Sequence, residues 1–278
     1  AFAPGVRIGQ NVREAGEDLR RGTVALARGR IVRPAELGLI ASLGIGEVDV
    51  FRPLRVAFFS TGDELKPIGS TLGEGEIHDS NRYTIHGMLT RLGCEVLDMG
   101  VVRDDPALLE RAFREAAANA DVVITSGGVS VGEADFVKGM LARLGEVVFW
   151  KIAMKPGRPL AYGRIGGAHF FGLPGNPVSV MVTFYQFVRE ALLKLMGADP
   201  VPPSPTFPAA CASRLRKAPG RTEFQRGVLA RGPDGAWTVR PTGEQGSGIL
   251  KSMSEANCFI ILGDAVGDVE PGTVVEVQ

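Results

Sequence analysis

From Leu54 to Met196 the chain switches repeatedly between two hydrophobic periods. Short apolar runs at Arg55–Phe59, Glu95–Met99, Asp121–Thr125, Val147–Ile152, Pro159–Arg164 and His169–Gly172 read as strands. The segments between them have helical spacing and end signals. Ser80 or Asn81 can cap a helix running to about Leu92, with Gly93 ending it. Arg103-Asp104-Asp105-Pro106 is a cap with Pro at the first helical position, opening Ala107–Asn119. Further helices follow at about Ala134–Leu144 and from Pro177 to about Met196. This alternation predicts an α/β domain at 54–200, three layers around a mostly parallel sheet. Upstream, Gly22–Arg33 reads as extended and Pro34 opens a short helix ended by Gly44, so 1–53 reads as a partial, extended amino-terminal or stalk segment. Downstream, Gly197–Pro208 carries five prolines and reads as a linker. Only short alternating runs follow, at Gln225–Ala230, Trp237–Arg240, Cys258–Leu262 and Thr273–Val277, which predicts a small β-barrel-like domain at 201–278.

Composition narrows the function classes. With 31 Lys+Arg against 31 Asp+Glu, nothing pulls the whole molecule towards nucleic acid or an anionic membrane, so any anion site must be local. The longest apolar stretches, such as Val147–Trp150 and Phe259–Leu262, fall far short of the roughly 18–20 residues that span a bilayer. No charged n-region followed by an apolar core opens the chain, so no secretory signal is expected. Cys94, Cys211 and Cys258 are widely spaced and lie in apolar contexts. That argues against a disulfide framework or a zinc site and for a reducing, cytoplasmic setting. Ala1–Gly22 reads as the middle of a longer element, which predicts further chain before it.

Candidate chemistry clusters where an α/β sheet would place it. Ligands of open α/β sheets bind outside the carboxyl ends of the strands, and Ser60–Leu65, Val102–Asp105, Thr125–Asp135 and Gly172–Pro177 all fall there. In Thr125–Asp135, the backbone at Ser126, Gly127, Gly128 and Ser130 could approach a phosphate, the helix start that follows favouring an anion. A tight turn needing positive φ explains Gly127 and Gly128 equally well. No Walker A or Gly-x-Gly-x-x-Gly pattern is present. Among the acids at these loops, Glu64 and Asp135 are read as functional and Asp105 as a helix cap. Carboxylates facing one crevice suit a hard, oxygen-ligated cation, so Mg²⁺ is preferred to zinc. Lys151, Lys155 and Arg158 put three cations on one Gly/Pro-rich loop and suggest a site for a multivalent anion. Gly172-Leu173-Pro174-Gly175-Asn176-Pro177 is a rigid strand-to-helix elbow that could preorganise such a site.

Ser60–Leu65, Asp79-Ser80-Asn81, Thr125–Asp135, Lys151–Pro159 and Gly172–Ser179 stand in an order and spacing that resembles the molybdopterin molybdenumtransferase family, MoeA and the gephyrin E-domain. The resemblance covers essentially the whole chain. It implies a homodimer that joins molybdate to adenylylated molybdopterin and releases AMP in a Mg²⁺-dependent step, with contacts to the adenylyltransferase or to acceptor molybdoenzymes. It also implies a cleft between the α/β domain of one subunit and the β domain of the other. Matching functional acids are Glu64, Asp104 and Asp135, with Asp18 near the domain boundary; Glu64 and Asp135 would hold the metal. Lys151 and Lys155 match the family's cation pair and would hold molybdate, with Arg158 beside them; Pro174 and Pro177 match the loop prolines, and Ser247 a β-domain residue reaching the neighbour's cleft. Family members normally carry a longer amino-terminal region than Ala1–Gly22, so turnover by the 278 residues alone is a separate question. Two rivals remain. A pterin adenylyltransferase shares the Ser-Gly-Gly loop but lacks the β domain; a gephyrin-like scaffold would not need the acids and lysines.

Overall fold

The computed structural model describes the chain apart from residues 1–4, 6 and 129–133 and the side chains of 134–138, 149 and 150. Two compact units form, Ala1–Phe51 with Gly197–Pro200, and Arg52–Met196 with Val201–Gln278.

In the first unit, Pro34 opens helix α1 (Pro34–Ser42). The Arg33 amide donates to Glu36 Oε2 at 3.1 Å, and the buried Glu36 carboxylate also takes the Arg30 and Arg33 guanidinium groups. These donors hold its pKa at about 2. The expected extended run at Gly22–Arg33 is instead a chain of bends. Turns close through Thr23 N to Arg20 O and Arg30 N to Ala27 O, with Gly22 and Gly29 at positive φ. Without a neighbouring strand to complete a ladder, alternation alone does not make a strand.

The second unit begins with a six-stranded sheet. Its strands are β1 (Arg55–Thr61), β4 (Glu95–Val102), β5 (Val122–Ser126), β6 (Gly145–Lys151), β8 (Pro159–Ile165) and β9 (Ala168–Leu173), in the order β4-β1-β5-β9-β8-β6. Neighbours from β4 to β9 are parallel, while β8 runs antiparallel to both β9 and β6. A small parallel pair, β2 (Leu65–Lys66) and β3 (Ile77–His78), precedes helix α2 (Ser80–Arg91). The cap of α2 is Asp79 rather than Ser80 or Asn81; its Oδ1 accepts from Arg82 N at 3.1 Å.

Strand β1 is apolar from Val56 to Phe59 because both of its faces are covered. Val56 and Phe58 join Ile85, Leu89, Val180 and Phe184 on one face, while Ala57 and Phe59 join Leu109, Phe113 and Leu141 on the other. The second layer comprises α3 (Pro106–Asn119) and α4 (Ala134–Leu144), and rings of Phe59, Phe113 and Phe170 stack edge-on at 5.1 and 5.6 Å. The final helix is not continuous. A π-turn at Phe184–Val188 separates α5 (Pro177–Thr183) from α6 (Arg189–Leu195).

The last 78 residues build a barrel from β10 (Phe207–Cys211), β11 (Thr222–Arg231), β12 (Trp237–Pro241), β13 (Cys258–Leu262) and β14 (Val274–Val277), closed by the β11–β12 pairing. Helix α7 (Leu250–Glu255) lies between β12 and β13. Strand β7 (Met154–Lys155), from the cationic loop, adds to β11 in the register Met154↔Thr222 and Lys155↔Glu223. Met154, Val178 and Val182 then pack with Phe224, Met253 and Phe259, and the barrel docks on its own chain's α/β domain.

Candidate functional site

The ladder register fixes which loops share an edge. Ser60 stands opposite Ser126, Thr61 opposite Val102, and Ser126 opposite Leu173. The chain therefore leaves β1, β4, β5 and β9 on one side of the sheet, at 62–64, 103–105, 127–128 and 174–176. The 152–158 turn opens on that side too, since β6 runs with β9 and Lys151 pairs with Pro159. Parallel strands force this gathering, because every crossover must return to the same starting edge.

Hydrogen bonds lock two of these segments, the glycine loop and the elbow, to the start of α2. Buried Asn81, in the first turn of α2, donates through Nδ2 to Ser126 Oγ at 2.8 Å and to Gly175 O at 2.6 Å. Ser126 Oγ donates on to Pro174 O at 3.3 Å, and Gly127 N to Leu173 O at 3.2 Å. Gly127 and Gly128 take φ of +91° and +68°, so the tight-turn reading holds. The loop is also tightly seated on β1, because a Cβ on Gly127 would stand 2.6 Å from Thr61 O and one on Gly128 3.0 Å from Thr61 Oγ1. A small crevice here is lined by Thr61, Thr125, Gly127 and Gly128 with Leu109, Phe113 and Phe170. Among the described residues, Ser60 Oγ, Asp79 Oδ2, Asn81 Oδ1 and the crevice-lining Thr61 Oγ1 are buried without a partner, leaving hydrogen-bonding capacity unspent.

The acids are placed unevenly. Glu64 follows β1 and folds back over Gly62, where a Cβ would meet its Oε2 at 2.6 Å. Asp63 meets Arg103 at 3.3 Å, tying the first two loops together. Asp104 lies exposed in the second, and Asp105 caps α3 through the amides of Ala107 and Leu108. Ser130 lies outside the described residues, as does the side chain of Asp135, which stands in the first turn of α4. Asp18 is exposed in the other unit. Among the described residues no three His, Cys, Asp or Glu side chains could hold a metal by themselves. Magnesium typically takes one or two carboxylates and completes its shell with water and substrate phosphates. Glu64, three residues on from the unpartnered hydroxyl of Thr61, offers oxygen donors of that chemistry.

The cations occupy the other flank. Lys151 ends β6, exposed, and Arg158 is exposed across the turn, where its carbonyl accepts from Ile152 N at 2.8 Å. Gly157, at φ +93°, backs onto Thr183 Oγ1, which a Cβ would approach to 2.5 Å. Lys155 is paired rather than bare, with Nζ 3.2 Å from Glu223 Oε1. Pro174 is buried, and Pro177 takes the first position of α5. Ser247 stands in the loop before α7 and is anchored by its backbone. Its carbonyl accepts from Val178 N of the same chain at 3.1 Å, because the β7–β11 ladder brings the barrel onto its own elbow.

One residue was missed. Arg226 is 1% exposed, and no carboxylate pairs with it among the described residues. Its Nε donates to Ser252 Oγ at 2.9 Å and its Nη2 to Gly246 O at 3.0 Å, which organises the loop that carries Ser247. Burial pushes its pKa down to about 10, so it stays cationic at neutral pH. On sequence it is one polar residue in an alternating run, and nothing there signals burial.

Residues 57–194 match a family described as a probable molybdopterin binding domain, residues 208–278 the MoeA C-terminal region (domain IV), and residues 3–44 the MoeA N-terminal region (domains I and II). A molybdopterin molybdenumtransferase of Haemophilus influenzae is 47% identical over 97% of this chain, which covers 67% of that relative. The chain belongs to the molybdopterin molybdenumtransferase family. Molybdopterin molybdenumtransferase 2 of Mycobacterium tuberculosis is 37% identical over 97% of the chain and is also covered to 67%. The MoeA protein of Pyrococcus horikosii superposes with a TM-score of 0.78 at 31% identity over 94% of this chain, which spans only 63% of that structure. Two of the family's regions thus meet in the docked barrel and sheet edge described above. Among the described residues no helix is long and apolar enough to cross a membrane, and the three cysteines are free thiols.

Proposed function

We propose that the chain performs molybdenum insertion: it binds adenylylated molybdopterin and molybdate, and AMP is hydrolysed off as molybdate joins the pterin dithiolene. The observation that carries this reading is the gathering of acidic, glycine-rich and cationic loops on one sheet edge, with the glycine loop and the elbow tied through Asn81. Ser126, Gly127, Gly128 and Ser130 would cradle the pterin-side phosphate with backbone amides and hydroxyls. Lys151, Lys155 and Arg158 would hold the tetrahedral oxyanion, two as point charges and one as a fork. Pro174 and Pro177 keep the elbow in one shape between the two. Ser247 would reach into the neighbouring subunit's cleft, and Arg226 would keep the loop that carries it in shape. Glu64 and Asp135 would hold Mg²⁺, which supplies polarisation of the phosphoanhydride when bound. Asp104 would complete the acids of this edge, Asp18 would serve as the acid near the domain boundary, and the active form is a homodimer in a reducing cytoplasm.

The test is incubation with adenylylated molybdopterin, molybdate and Mg²⁺, following AMP release and molybdenum bound to the pterin. Molybdate-dependent AMP release that is lost in Asp135→Asn supports the proposal. Adenylylation of molybdopterin from ATP would instead make the chain an adenylyltransferase. Insertion left intact in Asp135→Asn would point to a scaffold whose acids are incidental.

A further inference from the structure

The Lys155–Glu223 pair is lopsided. The two residues face each other across the β7–β11 ladder with Nζ and Oε1 3.2 Å apart, yet the lysine side chain is 46% exposed and the glutamate 5%. Glu223 is also anchored from behind. Its Oε2 accepts from Gln225 Nε2 at 3.1 Å, and the same nitrogen donates to Arg216 O at 2.9 Å. The carboxylate is therefore fixed by the barrel, whereas the ammonium sits on a flexible stem and can turn towards solvent.

We propose that Glu223 is the resident counter-ion of Lys155, and that a tetrahedral dianion arriving at the 151–158 loop must compete with it. Glu223 then acts as a positioning residue with two opposed effects. It holds the ammonium where the oxyanion must be presented, and its own negative charge weakens binding of that oxyanion. The inference rests on the reading that Lys155 binds molybdate. Like charges a few ångströms apart shift protonation equilibria by tenfold or more, and an incoming dianion meets the same repulsion. Loss of the anchor frees a long side chain, and misplacing a positioning group lowers turnover rather than binding.

The probe is tungstate, a tetrahedral dianion of the same charge as molybdate, titrated calorimetrically into wild type, Glu223→Gln and Lys155→Met, alongside steady-state AMP release. Glu223→Gln is expected to bind tungstate on the order of tenfold more tightly and to lower both KM for molybdate and kcat. A merely structural glutamate would lower the melting temperature and leave that KM unchanged or raised. Tungstate affinity in Glu223→Gln equal to or weaker than wild type, with Lys155→Met weakened, overturns the proposal while leaving the site intact. Unchanged affinity in Lys155→Met overturns the site assignment itself. Should Glu223→Gln fail to fold, Glu223→Asp keeps the charge and shortens its reach. It is expected to lower kcat at unchanged tungstate affinity, and tighter binding there counts against the proposal.

Discussion

Replacing Asn81 by Ala removes one amide that serves two segments at once. Its Nδ2 bonds to Ser126 Oγ and Gly175 O are 2.8 and 2.6 Å long. Each such bond contributes about 0.5–1.5 kcal/mol net. Truncation also deletes the buried, unpartnered Oδ1, whose desolvation cost is recovered. Gly175 is exposed, so water can replace the lost donor at its carbonyl; Ser126 is buried, and its oxygen loses its donor. The net loss is expected to be about 1–2 kcal/mol, dominated by the Ser126 side. Urea unfolding followed by the fluorescence of Trp150 and Trp237 measures it, with an unchanged slope showing that only stability moved. Ser126→Ala and the double variant complete a cycle, in which the two changes should be clearly non-additive because they share one bond. A change within about 0.5 kcal/mol of wild type, or strict additivity with Ser126→Ala, would refute the idea that Asn81 fastens these loops.

Three further outcomes follow from the same geometry. Gly127→Ala places a methyl 2.6 Å from Thr61 O at a φ of +91°. It should cost about 1–3 kcal/mol and abolish phosphate-ligand binding, read by thermal melts and titration calorimetry; a variant as stable as wild type would show that the loop is not tightly seated. Phe113→Ala empties a site between Phe59 and Phe170, whose rings lie 5.1 and 5.6 Å away, and should destabilise by about 3–5 kcal/mol in denaturant unfolding. The Asp121 carboxyl is held at about 2, against an ordinary 3.8, chiefly by the Arg52 guanidinium and also by the Arg55 amide. A depressed folded-state pKa makes this contribution complete above about pH 4 and lost as the pH falls towards 2. Asp121→Asn should therefore lower stability near neutrality and flatten the stability profile between those limits.

Much of the α/β domain is legible along the chain, because its elements bury continuous or periodic apolar faces. The runs at Arg55–Phe59 and Asp121–Thr125 lie within or overlap β1 and β5, and Asp105-Pro106 marks the start of α3. Boundaries drift where the deciding partner is distant. Strand β4 runs three residues past Met99, to Val102, because β1 pairs with it that far, and β10 starts inside the presumed linker because β14 is there to receive it. The two-residue strands β2, β3 and β7 have no periodicity to betray them, and the π-turn at Phe184–Val188 leaves the apolar pattern of the helix uninterrupted.

What the sequence determined by itself is local: the alternation of strand and helix, the rigid elbow at Pro174–Pro177, the glycines that must turn, and the kinds of charge each loop carries. These depend on residue type and near neighbours, which order along a chain preserves. Tertiary structure alone decided that Lys155 faces Glu223, that Arg226 is buried with no acid on it among the described residues, that Asn81 clasps Ser126 and Gly175, and that the Ser247 carbonyl meets the start of α5. Each of those outcomes joins residues dozens of positions apart or depends on exclusion of water, and both arise only when the chain has folded back on itself.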